Sequence, residues 1–427
     1  MNNGRMFFKI KYETVIKLLL LINFFFPTFN NVFESTGDTG VMMINLMMLS
    51  LSLLTICFIV RDYGFKFEFG VNTFLIVAFL YFILTISGNF INSRVIFSDA
   101  FELFRPVYYT VSFLLFYLLV RINAVRPEKI LKLFSYFVLA TAFFSFICLL
   151  FYQYFGREVM AFYAKTSLLS TRRFTGTFQN PYDFAFVAVL PLMFLIMKFV
   201  TEGKVYRLIG ISVLFMTILF GQSKSGFASF LVATTIALLA SLFIVNRDTI
   251  RKSIGYHARF LFFPASVAIF AIIIVLFYFD AFSYLLNGII KIISGDGDKS
   301  SQIRIYQAKM ALDMLENNPL ELFMGFGSFK ASGLKFESLY SLYLFRYGFL
   351  AVVILSFWII FPIVILAFQN VELEKLYKVL LFGLFVSVIP AGFGNNVIDQ
   401  SRIPFIYFGC LGVTYALIHK RTVKRSV

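Results

Sequence analysis

The chain has 427 residues, of which 60% are hydrophobic and only 14% are charged. Soluble globular domains average roughly 45–50% apolar and about 25% charged residues, so this composition excludes a soluble enzyme. Apolar runs recur along the whole sequence, and about 20 helical residues cross a hydrocarbon core roughly 30 Å thick. The sequence therefore predicts an all-α, multi-pass integral membrane protein. A membrane β-barrel is excluded, because its strands alternate apolar and polar residues, unlike the continuous run at residues 41–60.

The net charge of +16 comes from 38 basic and 22 acidic residues. In a soluble protein this excess would suggest nucleic-acid binding. Here Lys and Arg flank the apolar runs on alternate sides, as the positive-inside bias requires. We therefore attribute much of the basic charge to membrane topology and expect no nucleic-acid partner.

The apolar runs predict about twelve transmembrane helices in a single domain over residues 1–427. The predicted spans are 15–29, 41–60, 71–87, 107–121, 130–152, 183–199, 205–222, 225–245, 260–279, 347–368, 376–392 and 403–419. The first span follows Arg5, Lys9 and Lys11 as in a secretory signal, but no small-residue cleavage site comes after it. We therefore expect an uncleaved first helix.

An even number of spans places both termini on one side of the membrane. Lys and Arg are in clear excess in the inner loops when both termini are cytoplasmic, which favours that orientation. The outer polar regions are then 30–40, 88–106, 153–182, 222–225, 280–337 and 393–402. The functional site is expected in these regions, on the extracytoplasmic side.

The large outer loop, residues 280–337, is the one candidate subdomain. The spacing of its apolar residues predicts an amphipathic helix over 302–317 that lies against the outer face. Asp296 and Asp298 resemble the Asp-x-Asp motif of metal-dependent nucleotide-sugar transferases. Nucleotide sugars are cytoplasmic, however, whereas this loop is outside, so we expect no metal site there.

The first of three outward-facing clusters is the sequence RRFTGTFQNP at residues 172–181. Asn180 can cap the following helix with Pro181 at its first position, so the free amides of the helix point outward beside Arg172 and Arg173. Such a place suits an anion. The alternative is a capped helix with ordinary flanking arginines.

The second cluster is GQSKSG at residues 221–226, a tight polar interruption between two long helices. It puts Lys224 near the outer membrane plane. It is not a phosphate-binding P-loop, because it lacks the preceding strand and the Gly-Lys-Ser/Thr ending. The alternative to a functional cation is an interhelical turn in which Lys224 extends to the interface.

The third cluster spans the outer loop and contains Arg304, the turn glycines Gly325 and Gly327, and Glu337. Glycine permits backbone turns that other residues disfavour. Glu337 begins an apolar region, and a carboxylate at a helix start is also a favourable dipole partner worth about 0.3–1 kcal/mol. Both interpretations of Glu337 stay open at this point.

Two further positions lie near these clusters. Tyr340 is the one aromatic residue near Glu337 that we single out as a platform for stacking a sugar, because most aromatic residues must face lipid or other helices. Arg402 lies in the final outer loop with Asn395, Asn396 and Asp399. Arg402 either faces the same outer cavity as the three clusters or flanks the last helix.

Taken in order, these motifs resemble those of the polysaccharide polymerase and O-antigen ligase superfamily of bacterial envelopes. Residues 172–181 resemble its Arg-x-Thr-Gly-Thr-Phe-x-Asn-Pro element, and residues 223–226 resemble its Ser-Arg/Lys-Ser-Gly turn. The segment from Arg304 to Gly327 resembles its arginine-bearing helix, which is followed by Asn-Pro-Leu and a Gly-x-Gly turn. The resemblance covers about residues 172–358.

The resemblance implies a GT-C-like helical protein of the bacterial inner membrane. It implies glycan transfer from an undecaprenyl-diphosphate carrier to a sugar hydroxyl at the outer face, with no metal, nucleotide or other cofactor. Arg173, with Arg172 as the alternate, and Arg304 would clamp the diphosphate, and Lys224 would add a third cation. Ser338, Tyr340, Asn180 and Arg402 are the candidates for binding the acceptor or sugars. A chain-length regulator and a flippase are the implied protein partners.

One difference from the ligase motifs helps to distinguish a ligase from a polymerase. The ligases carry a His-Asn pair after the Gly-x-Gly turn, where this chain has Glu337 and Ser338. Polymerases of the Wzy type commonly have an acidic residue and a serine there, so the resemblance favours a polymerase in which Glu337 is the base or binds the acceptor hydroxyl.

Two alternatives stay open. One is ligation of a glycan to another acceptor. The other is a transporter of lipid-linked oligosaccharides, which should carry ionisable residues near the bilayer midplane and often has repeated halves.

Overall fold

The computed structural model describes residues 11–29, 39–65, 68–91, 97–165, 168–169, 173, 176–244, 287, 290–291, 294, 299–316, 318–328, 333–369 and 373–425. All regular secondary structure within these residues is helical, which confirms the predicted all-α fold. The main helices, numbered here in chain order, are α1 (Tyr12–Phe25), α2 (Thr39–Tyr63), α3 (Phe69–Ile91), α4 (Phe97–Arg121), α5 (Pro127–Leu150), α6 (Arg157–Ala161), α7 (Pro181–Val187), α8 (Val189–Glu202), α9 (Tyr206–Gly221), α10 (Lys224–Ile244), α11 (Lys299–Glu316), α12 (Pro319–Met324), α13 (Leu339–Tyr347), α14 (Leu350–Leu355), α15 (Phe361–Phe368), α16 (Lys375–Gly394) and α17 (Ile403–Arg425).

Eight helical segments in the described residues are long and apolar enough to cross a membrane. They are Gly40–Tyr63, Gly70–Gly88, Glu102–Arg121, Pro127–Leu150, Pro181–Glu202, Lys224–Ser241, Leu350–Phe368 and Lys375–Gly394. Tyr206–Gly221 and Ile403–Ile418 are shorter apolar helices. These ten segments correspond to ten of the predicted spans, and the first predicted span corresponds to the 14-residue α1. The ninth, residues 260–279, lies outside the described residues, so the total of twelve stays a prediction.

Helices α4 and α17 pack closely at the centre of the bundle. The rings of Phe116 and Phe405 meet edge to face, with their centroids 5.2 Å apart. A Cβ atom added at Gly412 would lie 2.3 Å from the carbonyl oxygen of Phe113. Small residues at such crossings let helix backbones approach and make extensive van der Waals contact, so Gly412 accounts for the close α4–α17 packing.

Loops that were predicted on one side of the membrane meet at one end of the bundle. The hydroxyl of Thr28 donates to the carbonyl of Tyr163 over 2.9 Å, and Gly88 contacts the backbone of Gly327. We call this the outer end. At the opposite, inner end, Lys129 forms an ion pair with Glu13. The grouping of loops agrees with the predicted alternation, while the side that faces the cytoplasm stays a prediction.

The described part of the outer loop packs against the bundle through α11 and α12. Helix α11 covers most of the predicted amphipathic helix and packs on α13. Its residues Ala311 and Leu315 are fully buried in an apolar cluster with Phe326, Phe336 and Phe345. This packing places α11 beside the start of α13.

We expect a cysteine introduced as Lys335→Cys to react with a membrane-impermeant maleimide in intact cells, because Lys335 is exposed at the outer end. Lys204→Cys, exposed at the inner end, should react only after permeabilisation. Both substitutions are made in a chain whose three native cysteines are replaced by alanine, and labelling is detected by gel shift. The reverse pattern would contradict the predicted topology.

Candidate active site

A cavity of about 540 Å³ lies at the outer end, between the start of α10, α11 and the end of α16. Arg173, Lys224, Arg304 and Glu337 all line it, so the structure brings together four of the predicted site residues. The volume falls within the roughly 300–1,000 Å³ range of typical ligand sites. Three cations and one carboxylate, supplied by distant parts of the chain, therefore share one cavity.

Arg304 and Glu337 both line the cavity and form an ion pair with each other. One guanidinium nitrogen, Nη2 of Arg304, lies 3.2 Å from Oε2 of Glu337. The carboxylate side chain is 53% exposed and that of Arg304 is 25% exposed. A solvated pair of this kind contributes only about 0–1 kcal/mol to stability. Its significance is therefore the placement of a basic and an acidic group side by side.

Neighbouring residues of α11 hold this pair in position. Nη1 of Arg304 donates to the hydroxyl oxygen of Ser300 over 2.6 Å, one helical turn earlier. The backbone N–H of Glu337 donates to Oε1 of Gln307 over 3.0 Å, and Nε2 of Gln307 donates to the carbonyl of Lys335 over 2.9 Å. Helix α11 thus fixes both its own arginine and the backbone that carries the carboxylate.

Arg173 is hydrogen-bonded to the turn between α9 and α10. Its Nε donates to the carbonyl of Gly221 over 3.1 Å and its Nη2 to that of Gln222 over 3.3 Å. Gln222 ends α9 in the left-handed conformation, with φ of 49°. The last carbonyls of a helix lack helical partners and carry partial negative charge, so this turn provides a natural anchor for an arginine.

The start of α10 adds to the positive character of the cavity. Ser223 accepts a hydrogen bond from the N–H of Gly226 over 3.0 Å and so caps the helix. Lys224 is the first residue of this 21-residue helix, whose N-terminal amides carry partial positive charge. A Cβ atom at Gly226 would lie 2.5 Å from that of Ala185, so the glycine of the Ser-Lys-Ser-Gly turn allows close packing against α7.

Asn180 and Pro181 occupy the cap and first positions of α7, as predicted. The Asn180 side chain does not accept from the helix backbone, however; its Nδ2 donates to Oδ2 of Asp183 over 3.1 Å. Asn395, which lines the cavity, donates to the other oxygen of Asp183 over 3.4 Å. Asn180 is therefore buried and linked to the cavity wall through Asp183.

Ser338 and Tyr340 connect α13 to α16 through hydrogen bonds. The hydroxyl of Ser338 donates to the carbonyl of Gly392 over 3.1 Å, and that of Tyr340 donates to the carbonyl of Ile389 over 2.9 Å. Burial raises the pKa of Tyr340 to about 12, so its hydroxyl stays protonated well into the alkaline range. Neither residue is among those that line the cavity, although Tyr340 lies against its wall residue Phe393.

Arg402 lies away from the cavity and is fully buried. Its guanidinium donates to the carbonyls of Asn23 and Phe26 at the end of α1, and Nδ2 of Asn23 donates to the carbonyl of Arg402 over 3.1 Å. Arg402 therefore caps the last carbonyls of α1. Arg172, the alternate for Arg173, lies outside the described residues, as do Asp296 and Asp298.

A buried polar network outside the cavity lining was not predicted. Oδ1 of Asp399 accepts from the hydroxyls of Tyr109 and Tyr343 over 2.6 and 2.9 Å. Glu102 contacts both Arg105 and Arg346, at 3.1 and 2.9 Å, and its side chain is only 5% exposed. This network ties α4 and the 393–402 loop to α13. The signal in the sequence was the pair of opposite charges three residues apart, Glu102 and Arg105, in a predicted outer region.

Residues 209–350 match the family model described as O-antigen ligase. The matched range includes Lys224, Arg304 and Glu337, whereas Arg173 precedes it. The match agrees with the resemblance to the O-antigen ligase and polymerase superfamily and supports a general function in glycan transfer. None of the curated proteins searched matches the chain.

We expect Arg402→Leu to lower the unfolding temperature of the purified protein, because it leaves the carbonyls of Asn23 and Phe26 without their donor. Loss of a hydrogen bond to a charged group costs about 1.5–3 kcal/mol. Thermal unfolding in detergent measures the effect, with Arg157→Leu, at an exposed position on α6, as the control. An unchanged unfolding temperature in Arg402→Leu would refute the capping role.

Proposed function

We propose that this protein polymerises undecaprenyl-diphosphate-linked oligosaccharide repeat units at the outer face of the bacterial cytoplasmic membrane. The product would be O antigen, capsule or exopolysaccharide. One observation carries the proposal: a single cavity holds Arg173, Lys224 and Arg304 together with the carboxylate of Glu337. The family match supports glycan transfer in general, and the choice of a polymerase depends on Glu337.

The cations of the cavity suit a diphosphate leaving group. Negative charge develops on the diphosphate as its bond to the anomeric carbon breaks, and fixed donors stabilise that charge in the transition state. Guanidinium groups bind phosphate oxygens in a bidentate manner and stay charged at any physiological pH. In this proposal Arg173 and Arg304 bind the diphosphate, while Lys224 and the first amides of α10 add positive potential.

Glu337 is the proposed base for the acceptor hydroxyl. The hydroxyl proton passes to the carboxylate, the hydroxyl oxygen forms a bond to the anomeric carbon, and the bond to the diphosphate oxygen breaks with its electron pair remaining on the diphosphate. Attack from the face opposite the leaving group inverts the anomeric configuration. Nη2 of Arg304 lies 3.2 Å from Oε2 of Glu337. Arg304 would therefore both orient the base and bind the leaving group.

The identity of residue 337 argues against a ligase, and the location of the site argues against a transporter. A ligase resembling the known pattern would place a histidine at the position of Glu337. A transporter would place ionisable groups along its path near the bilayer midplane, whereas the four site residues lie at the outer end. Repeat units assembled on cytoplasmic precursors must first cross the membrane, so a flippase is the expected upstream partner and a chain-length regulator the expected modulator.

We expect Glu337→Gln to abolish formation of a polymer ladder from defined undecaprenyl-diphosphate oligosaccharide in an assay of purified protein with chelator present. The amide keeps the size of the side chain but cannot accept the hydroxyl proton. Glu316→Gln, which changes an exposed carboxylate at the end of α11, is the matched control and should retain the ladder. Products are resolved by length on a gel.

A full ladder from Glu337→Gln would remove Glu337 from the chemistry while leaving polymerisation intact. Transfer of a single glycan to a separate acceptor, without a ladder, would favour the ligase. Absence of any product from the wild type across several repeats and lipids, together with movement of lipid-linked oligosaccharide across vesicle membranes, would favour the transporter.

Arg304→Ala and Arg173→Ala should each lower kcat/KM for the lipid-linked donor. Removal of one donor group that stabilises a transition state typically costs about 100- to 1,000-fold. Arg304→Lys should recover only part of the loss, because lysine keeps the charge but not the bidentate geometry. Lys309→Ala, at an exposed position of α11, should leave kcat/KM unchanged; equal effects of Lys309→Ala and Arg304→Ala would contradict a specific diphosphate site.

A further inference from the structure

A second groove lies at the inner end, between α5, α8 and α9, and encloses about 560 Å³. Along α5 it is lined by Lys132, Tyr136, Leu139 and Phe143, which share one helix face because they are spaced by three or four residues. The groove is therefore charged at its mouth and apolar along its depth.

The length of the groove corresponds to one leaflet of a bilayer. At a rise of 1.5 Å per residue, Lys132 and Phe143 lie about 16 Å apart along α5. The hydrocarbon core is roughly 30 Å thick, so this distance is about half of it. The groove thus extends from the membrane surface towards the midplane on the side opposite the candidate active site.

The mouth carries an excess of positive charge. Lys132, Lys198 and Arg207 line it together with one carboxylate, that of Glu202. Nζ of Lys198 lies 2.7 Å from Oε1 of Glu202, and Arg207 contacts the other oxygen of the same carboxylate. Two of the cations that line the groove therefore share one carboxylate, and Lys132 adds a third positive charge. An anion at the mouth would find complementary charge.

Two tyrosines mark the level of the membrane surface. Tyr136 is 50% exposed and Tyr206 is 63% exposed, and both line the groove beside the charged mouth. Tyrosine is enriched where lipid headgroups meet the hydrocarbon region. The cations therefore lie where the phosphate of a phospholipid would be, with the apolar part of the groove at the depth of its acyl chains.

Gly210 of α9 lies in the wall of the groove, against the leucines of its apolar part. A Cβ atom at Gly210 would lie 2.8 Å from Cδ1 of Leu195 and 3.6 Å from Cδ1 of Leu139. A larger side chain at this position would occupy the apolar part of the groove. Gly210 therefore offers a way to fill the groove without changing its charge.

We propose that this groove is a binding site for an anionic membrane phospholipid. The phosphate lies among the three cations of the mouth, and one acyl chain follows the apolar face of α5. The site is separate from the cavity that contains Glu337, and it does not depend on the function proposed for that cavity.

The test is native mass spectrometry of the purified full-length protein with equimolar dioleoyl phosphatidylglycerol and dioleoyl phosphatidylcholine. The wild type should retain at least threefold more phosphatidylglycerol. Lys132→Gln combined with Lys198→Gln should bring retention of the two lipids to the same level. Lys375→Gln, which removes an exposed lysine of α16 at the same end, is the matched control and should keep the preference.

A second variant tests the apolar part of the groove. Gly210→Leu keeps every charge of the mouth and should lower the retention of phosphatidylglycerol at least threefold, while thermal unfolding in phosphatidylcholine shows that the protein is folded. Equal retention of the two lipids by the wild type would overturn the proposal. An unchanged preference in the lysine double variant, or full retention by folded Gly210→Leu, would also overturn it.

Discussion

The candidate site depends on the attachment of the outer loop to α13. The rings of Phe326 and Phe336 pack on Phe345 with centroid distances of 4.9 and 4.6 Å, and the N–H of Gly327 donates to the carbonyl of Arg346 over 2.8 Å. Burial of an aromatic side chain contributes about 1.5–3 kcal/mol, so this cluster can hold α11 in one position. Arg304 reaches Glu337 only because of that position.

Helix α13 is also fixed by buried polar contacts. Asp399 accepts from Tyr343, while Glu102 pairs with Arg346. A buried carboxylate is costly unless hydrogen-bond donors or cations compensate for its lost hydration, and here each carboxylate has such partners. The apolar cluster at Phe345 and the polar contacts of Tyr343 and Arg346 together hold α13 in one position. A rigid support is what electrostatic stabilisation of a transition state requires, because donors must be oriented before charge develops.

Hydropathy was sufficient to predict the helical membrane fold, because a span depends on the composition of one continuous segment. The order of the motifs predicted which cations belong together, and the structure places Arg173, Lys224 and Arg304 around one cavity. The position of Arg402 could not be predicted, since its partners Asn23 and Phe26 are separated from it by most of the chain. Nor could the inward turn of Ser338, whose hydroxyl pairs with a carbonyl of α16. Both depend on tertiary contacts that local sequence patterns do not encode.

The proposed function requires the outer cavity to bind the diphosphate of a lipid-linked glycan. The most direct measurement is photo-crosslinking with an undecaprenyl-diphosphate sugar analogue that carries a photoreactive group next to the diphosphate, followed by peptide mapping. Binding in the outer cavity should lead to labelling of peptides that contain residues 222–225 and 300–305, and unlabelled undecaprenyl diphosphate should compete with the analogue. Labelling confined to the inner end, or labelling that the unlabelled lipid does not displace, would contradict it.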